Sequence, residues 1–126
     1  MADLSNVKME ELVKGLSKIA KKDVEGKYSF DVTVFDDAGN ESLKCGIVFD
    51  NGAVEVRDGE SGEDDAVLFH IKKGGVETMK AMQIDGLEAA MRFMFDGSIY
   101  TTNPAGAEKW FQIFELGEAA LEKALS

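Results

Sequence analysis

The 126-residue chain holds one cysteine, one histidine, one tryptophan and one proline, and these scarcities close several classes of function at once. With Cys45 alone, neither an intrachain disulfide nor a multi-cysteine metal site can form. Nothing therefore calls for an oxidising compartment. No apolar run approaches the ~18 residues that a membrane-spanning helix needs. The opening MADLSNVKMEELVKGL lacks the apolar centre of a secretion signal, and the closing Ala124-Leu125-Ser126 is not a clear peroxisomal address. A cytoplasmic location is the expectation. Basic residues are also few, 14 against 24 acids, which leaves a formal net charge of -10. That field repels phosphate backbones, and the chain has no aromatic-interleaved basic patch, so nucleic acid is not an expected partner.

What remains is an ordinary globular composition, 44% hydrophobic and 30% charged. Domains most often run ~100–150 residues, and a chain of this size buries roughly two thirds of its unfolded surface. Residues 1–126 therefore read as one domain with a core of its own. The charge is uneven. Residues 1–27 carry Lys8, Lys14, Lys18, Lys21, Lys22 and Lys27 against Asp3, Glu10, Glu11, Asp23 and Glu25, a balance of +1 that leaves -11 for the remainder.

Met9, Leu12, Val13, Leu16, Ile19 and Ala20 recur at helical spacing and predict a helix over about 6–22, capped by Asn6 or Ser5. The period then becomes two. Tyr28, Phe30, Val32 and Val34 predict one strand, and Leu43, Cys45, Ile47 and Phe49 a second. Asn51-Gly52 predicts a type I′ turn into a third strand around Val54 and Val56. Residues 58–65, DGESGEDD, read as a loop unable to pack, and Ala66 to Ile71 as a fourth strand. Helical spacing returns with Val76, Met79, Ala81 and Met82, pauses at Asp85-Gly86, and resumes with Leu87, Ala90, Met91 and Met94 as far as Gly97. Ser98–Thr102 reads as a strand ending at Asn103-Pro104, followed by one last helix over about 105–125. The order predicts an α+β fold, with a mostly antiparallel sheet of about five strands covered on one face by helices.

The pattern resembles the sterol carrier protein type 2 family over about residues 24–117. Asp64-Asp65-Ala66-Val67-Leu68-Phe69 is similar to that family's acidic loop and following strand. Phe93-Met94-Phe95-Asp96-Gly97-Ser98-Ile99 resembles its helix–glycine–strand junction, and Trp110-Phe111-Gln112-Ile113-Phe114 the apolar start of its closing helix. Strand two lacks the family's usual tryptophan, Ser98 stands in place of a common lysine, and Met82-Gln83-Ile84-Asp85-Gly86 occupies a G-x-x-x-P position. The resemblance implies an apolar tunnel for fatty acyl chains, acyl-CoA or sterols, enclosed by sheet and helices. Its lining would come from Met79, Met82, Leu87, Met91, Met94, Phe111 and Phe114.

The residues themselves admit a plainer reading, in which the Met and Phe side chains fill a dry core. Two observations favour a ligand. Met is unbranched and polarizable and lines adaptable cavities well. Phe93 and Phe95 on the helix near 87–95, and Phe111 and Leu116 on the last helix, lie off the main apolar stripes, so these helices must meet more than one apolar partner. In a cavity bounded by Met91, Met94 and Phe111, the neighbouring Ala90 would have room for an indole.

His70 lies between Phe69 and Ile71 and faces away from them. With no second conventional ligand or nucleophile in view, it reads as a satisfied strand histidine, and a Cys45–His70 dyad is the remote alternative. The acids Asp58, Glu60, Glu63, Asp64 and Asp65 lack calcium-loop spacing, and Gly74-Gly75 lacks a phosphate-loop context. No metal, cofactor or catalytic residue is expected. Lys14, Lys18, Lys21 and Lys22 read as a solvated face, or as a weak, transient membrane contact. The leading expectation is non-catalytic binding or carriage of a lipid-like molecule such as a fatty acid, acyl-CoA, sterol or isoprenoid. Second stands an interaction module whose apolar helical face docks another protein or forms a homodimer. Third is an accessory to an acyl-thioester enzyme.

Overall fold

A computed structural model describes residues 8–126 and gives them an α+β architecture, with a five-stranded sheet carrying helices on one face. The chain runs α1 (Met9–Gly15), a 3-10 turn (Leu16–Lys18), β1 (Lys27–Phe35), β2 (Glu41–Asp50), β3 (Ala53–Asp58), β4 (Val67–Ile71), α2 (Val76–Asp85), α3 (Leu87–Phe95), β5 (Ile99–Thr101), α4 (Pro104–Ala107), α5 (Trp110–Ile113) and α6 (Glu118–Ala124). None of these helices is long and apolar enough to cross a membrane.

β1 and β2 form an antiparallel pair in the register Phe30↔Ile47 and Val32↔Cys45, which sets all four side chains on one face. Asn51 and Gly52 join β2 to β3 with φ of 49° and 94°, the two positive values that a type I′ turn requires. The sheet order is β3-β2-β1-β4-β5. Three of the four pairings are antiparallel, and β4 lies parallel to β1 in the register Val32↔Phe69. The sheet is thus mostly antiparallel, as expected, with one parallel pair at its centre. The parallel pair arises because residues 59–66 cross back over β2 and β1 and deliver the chain to the free edge of β1.

That crossing corrects the reading of 58–65 as a segment unable to pack. Ser61 is buried, and its N–H donates to Asp31 Oδ1 at 2.8 Å. A side chain at Gly46 would strike the Ser61 backbone and lie 2.7 Å from its Cβ, so β2 needs glycine where the loop passes. Glu63 pairs with Lys27 at 2.6 Å and with Arg57 at 3.1 Å, while Arg57 also donates to the Ser61 carbonyl. Short-range polar bonds thus anchor an acidic loop across the face that carries no helices.

The helical face holds the core: Phe30, Val32, Cys45, Ile47, Phe49, Phe69 and Ile71 from the sheet, against Leu12, Leu16, Met79, Met82, Trp110, Phe114 and Leu121. The first helix is shorter than its apolar spacing predicts and passes into the 3-10 turn after Gly15, where a side chain would strike the Ala124 carbonyl of α6. The expected caps Asn6 and Ser5 lie outside the described residues. The last helix is three short ones. Phe114 is extended and bridges Ala20, and two backbone bonds of 2.8 Å (Lys21 N to Ile113 O, Glu115 N to Ile19 O) hold the chain there. Gly117 at φ 109° then permits the turn into α6. Asn103 and Pro104, expected only to end a strand, also start α4, with Asn103 Oδ1 accepting from Gly106 N at 2.9 Å.

Gly46→Ala tests the loop crossing. Overpacking at such a site costs about 1–3 kcal/mol, so the urea midpoint should fall clearly. An unchanged midpoint would mean that the loop does not rest on β2.

Candidate functional site

The seven candidate lining residues divide between two places. Met79, Met82 and Phe111 come together with Val32, Phe69 and Trp110 in a seam between sheet and helices that is too narrow to hold a water molecule. Met91 and Met94 meet Phe95 on α3 around a shallow depression of about 240 Å³, with Met91 and Phe95 exposed and Met94 half-buried against the core. Leu87 is half-buried, Phe114 is fully buried, and neither lines the seam or the depression. Ala90, read as having space beside it, is fully buried and borders neither, so a larger side chain there meets the core.

The seam owes its form to spacing on α2. Met79, Met82 and Gln83 are three and four residues apart, hence on one face, and all are buried. Opposite them Trp110 packs edge-on against Phe30, with ring centroids 5.1 Å apart, and stacks on Phe69 at 6.4 Å. Its indole N–H donates to Gln83 Oε1. An indole nitrogen is a donor only, so the Gln83 amide oxygen must face it and the amide nitrogen must turn elsewhere. Gln83 Nε2 is buried and has no acceptor among the described residues. Leaving such a donor unmatched costs about 1–3 kcal/mol. The sequence reading passed over Gln83. The available signal was one amide among apolar residues, a helical turn beyond Met79.

The outer surface of α3 differs in kind. Met91 is 49% exposed and Phe95 90% exposed, whereas Ala89 and Ala90 on the opposite side are buried. The helix is apolar on two faces, and only one is covered by the described chain. Flanking charge is mixed, with Arg92 3.8 Å from Asp85.

Cys45 and His70 cannot act as a dyad. Cys45 pairs with Val32 on the helical face, while His70 pairs with Thr33 and projects from the other. His70 sits between the rings of Phe35 and Tyr100, with centroids at 5.2 and 6.0 Å. Burial, with Lys72 nearby, holds its imidazole below the ordinary range. Among the described residues no three His, Cys, Asp or Glu side chains gather as metal ligands would. The helix-one lysines are partly engaged within the fold, since Lys18 reaches the Ser126 carbonyl and Lys22 donates to the Gly52 carbonyl at 2.8 Å.

Burial, assisted by Asp58 and Asp31, pushes the Cys45 thiol up to about 11. The thiolate is the reactive form, so folded protein should resist a disulfide reagent at mildly alkaline pH and react once unfolded in urea. Rapid labelling of the folded chain would contradict this placement.

Comparison with models of known families, with curated proteins and with solved structures finds no match to this chain.

Proposed function

We propose that the protein binds and carries a lipid-like apolar molecule, a fatty acid, acyl-CoA, sterol or isoprenoid, in the seam between the sheet and helices α2 and α5. The observation that carries this reading is the make-up of the seam. Its floor, Val32 and Phe69, belongs to the hydrogen-bonded sheet, whereas its roof is the unbranched Met79 and Met82 with Phe111. Thioether side chains repack at low cost, so the roof can part around a guest while the floor holds its shape. Each CH₂ withdrawn from water contributes about 0.8 kcal/mol, which lets an alkyl chain offset the ordering cost of opening. Met91, Met94 and Phe95 supply an apolar surface on which such a molecule first lands. On this reading the protein performs no chemistry, needs no cofactor, works in the cytoplasm and touches membranes only in passing. The resemblance to the sterol carrier protein type 2 family supports the same proposal.

A second reading draws on Phe95, whose 90% exposure suits a docking surface for another protein or a second copy. One pair of variants separates the two. Met82→Ala removes a buried thioether and should cost about 2–5 kcal/mol. Under carriage, dodecanoate at a hundredfold excess over its Kd restores about 2.7 kcal/mol, and it stabilises Phe95→Asp as well. Under docking, dodecanoate stabilises neither protein, and Phe95→Asp abolishes self-association or partner capture.

A further inference from the structure

The two edges of the sheet differ. β5 is three residues long and is soon followed by Pro104, which limits further pairing there. β3 offers six residues, pairs with β2 without a bulge and contains no proline. We propose that two copies of the chain join through β3, edge to edge and antiparallel, with Val56 opposite Val56 of the second copy on a two-fold axis. The tight Asn51-Gly52 turn makes Asp50 and Ala53 a hydrogen-bonded pair, and bonded pairs recur at every second position, Val48 with Glu55 and Gly46 with Arg57. The bond from Gly59 N to Lys44 O at 3.1 Å continues that series. The main-chain N–H and C=O groups of Val54, Val56 and Asp58 therefore point away from β2, and they have no partner among the described residues. β3 lies at the far edge of the sheet from β4 and β5, so this contact is independent of the carriage reading.

Charge selects both the occupant and the register. Val56 against Val56 pairs Val54 with Asp58 of the second copy, so all three outward-facing residues find bonding partners. It also sets Glu55 opposite Arg57 twice, in the closer, non-bonded positions, where opposite charges stabilise and like charges destabilise. A two-residue slip sets Glu55 against Glu55 in one direction and Arg57 against Arg57 in the other. A one-residue slip turns the valines to the wrong side of the sheet. Within one chain Arg57 already holds Glu55 at 2.8 Å, so two copies close a ring of four alternating charges. On the opposite face Val56, 37% exposed, covers its own copy. The ends match as well. The Asn51-Gly52 turn, where Lys22 Nζ donates to the Gly52 carbonyl at 2.8 Å, comes beside Asp58 and Glu60 of the second copy. A chain of net charge -10 repels its copy in most orientations, and along this edge the signs alternate.

Sedimentation of the full chain at concentrations up to about 1 mM, the weak end of specific association, should show a monomer–dimer equilibrium. In a mixture of isotope-labelled and unlabelled chains, filtered NMR should connect Hα of Glu55 to Hα of Arg57 across the two copies, a contact particular to this register. Val56→Pro removes an outward N–H and no bond within the chain, so an edge strand tolerates it. It should weaken the dimer about tenfold or more. Glu55→Lys, at a side chain 59% exposed, sets like charges opposite each other and should weaken the dimer with little change in the urea midpoint. This second variant decides the matter if the proline variant fails to fold. Phe95→Asp should leave the dimer intact. A chain that stays monomeric throughout overturns the proposal. So does a dimer that withstands both β3 variants, or one that Phe95→Asp abolishes.

Discussion

Trp110 is the tie on which the helical layer depends. Its ring meets Phe30 and Phe69 on the sheet and Phe114 on the following extended segment at 4.9 Å, and its N–H reaches Gln83 on α2. One side chain therefore joins the two central parallel strands, the last part of the chain and the methionine-bearing helix. Aromatic pairs contribute about 0.5–1.5 kcal/mol each beyond area burial, and three such pairs share this ring. The polar bond adds direction, since it fixes the rotation of α2 so that Met79 and Met82 face the sheet. The narrow seam is what remains between these constraints.

The sheet works as a partition. On the helical side lie the apolar roof and floor. On the other, residues 59–66 lie across β2 and β1, held by Asp31, Lys27 and Arg57 and by the missing side chain of Gly46. This division separates Cys45 from His70, which project to opposite sides. The helical side offers apolar area, two repackable thioethers and one unmatched amide donor, the features on which the proposed carriage draws.

Local pattern made much of this fold legible. Period-two alternation located β1 and β2, Asn51-Gly52 located their continuation into β3, and Gly86 located the break between α2 and α3. Features that depend on contacts distant in sequence were not legible. The parallel pairing of β4 with β1 depends on the route of the acidic loop, and that route on Gly46, which looks unremarkable within its strand. The final helix broke because Ile19 and Lys21 compete for backbone groups near Phe114, a competition invisible in the local apolar stripe. The site shows the same limit. Spacing marked Met79, Met82, Met91 and Met94 alike as apolar-face residues, but only the packing of Ala89 and Ala90 reveals that Met91 turns outward. Gln83 escaped because its meaning depends on Trp110, 27 residues along the chain.

The central claim is that the seam beneath Met79 and Met82 opens for an apolar guest. Methyl-labelled methionine NMR during titration with dodecanoate tests it most directly, with the Trp110 indole N–H as a second reporter. The account predicts that Met79, Met82 and Trp110 signals move together and saturate at one ligand per chain. Movement of Met91 and Met94 alone would place the ligand on the outer surface of α3 and contradict the claim.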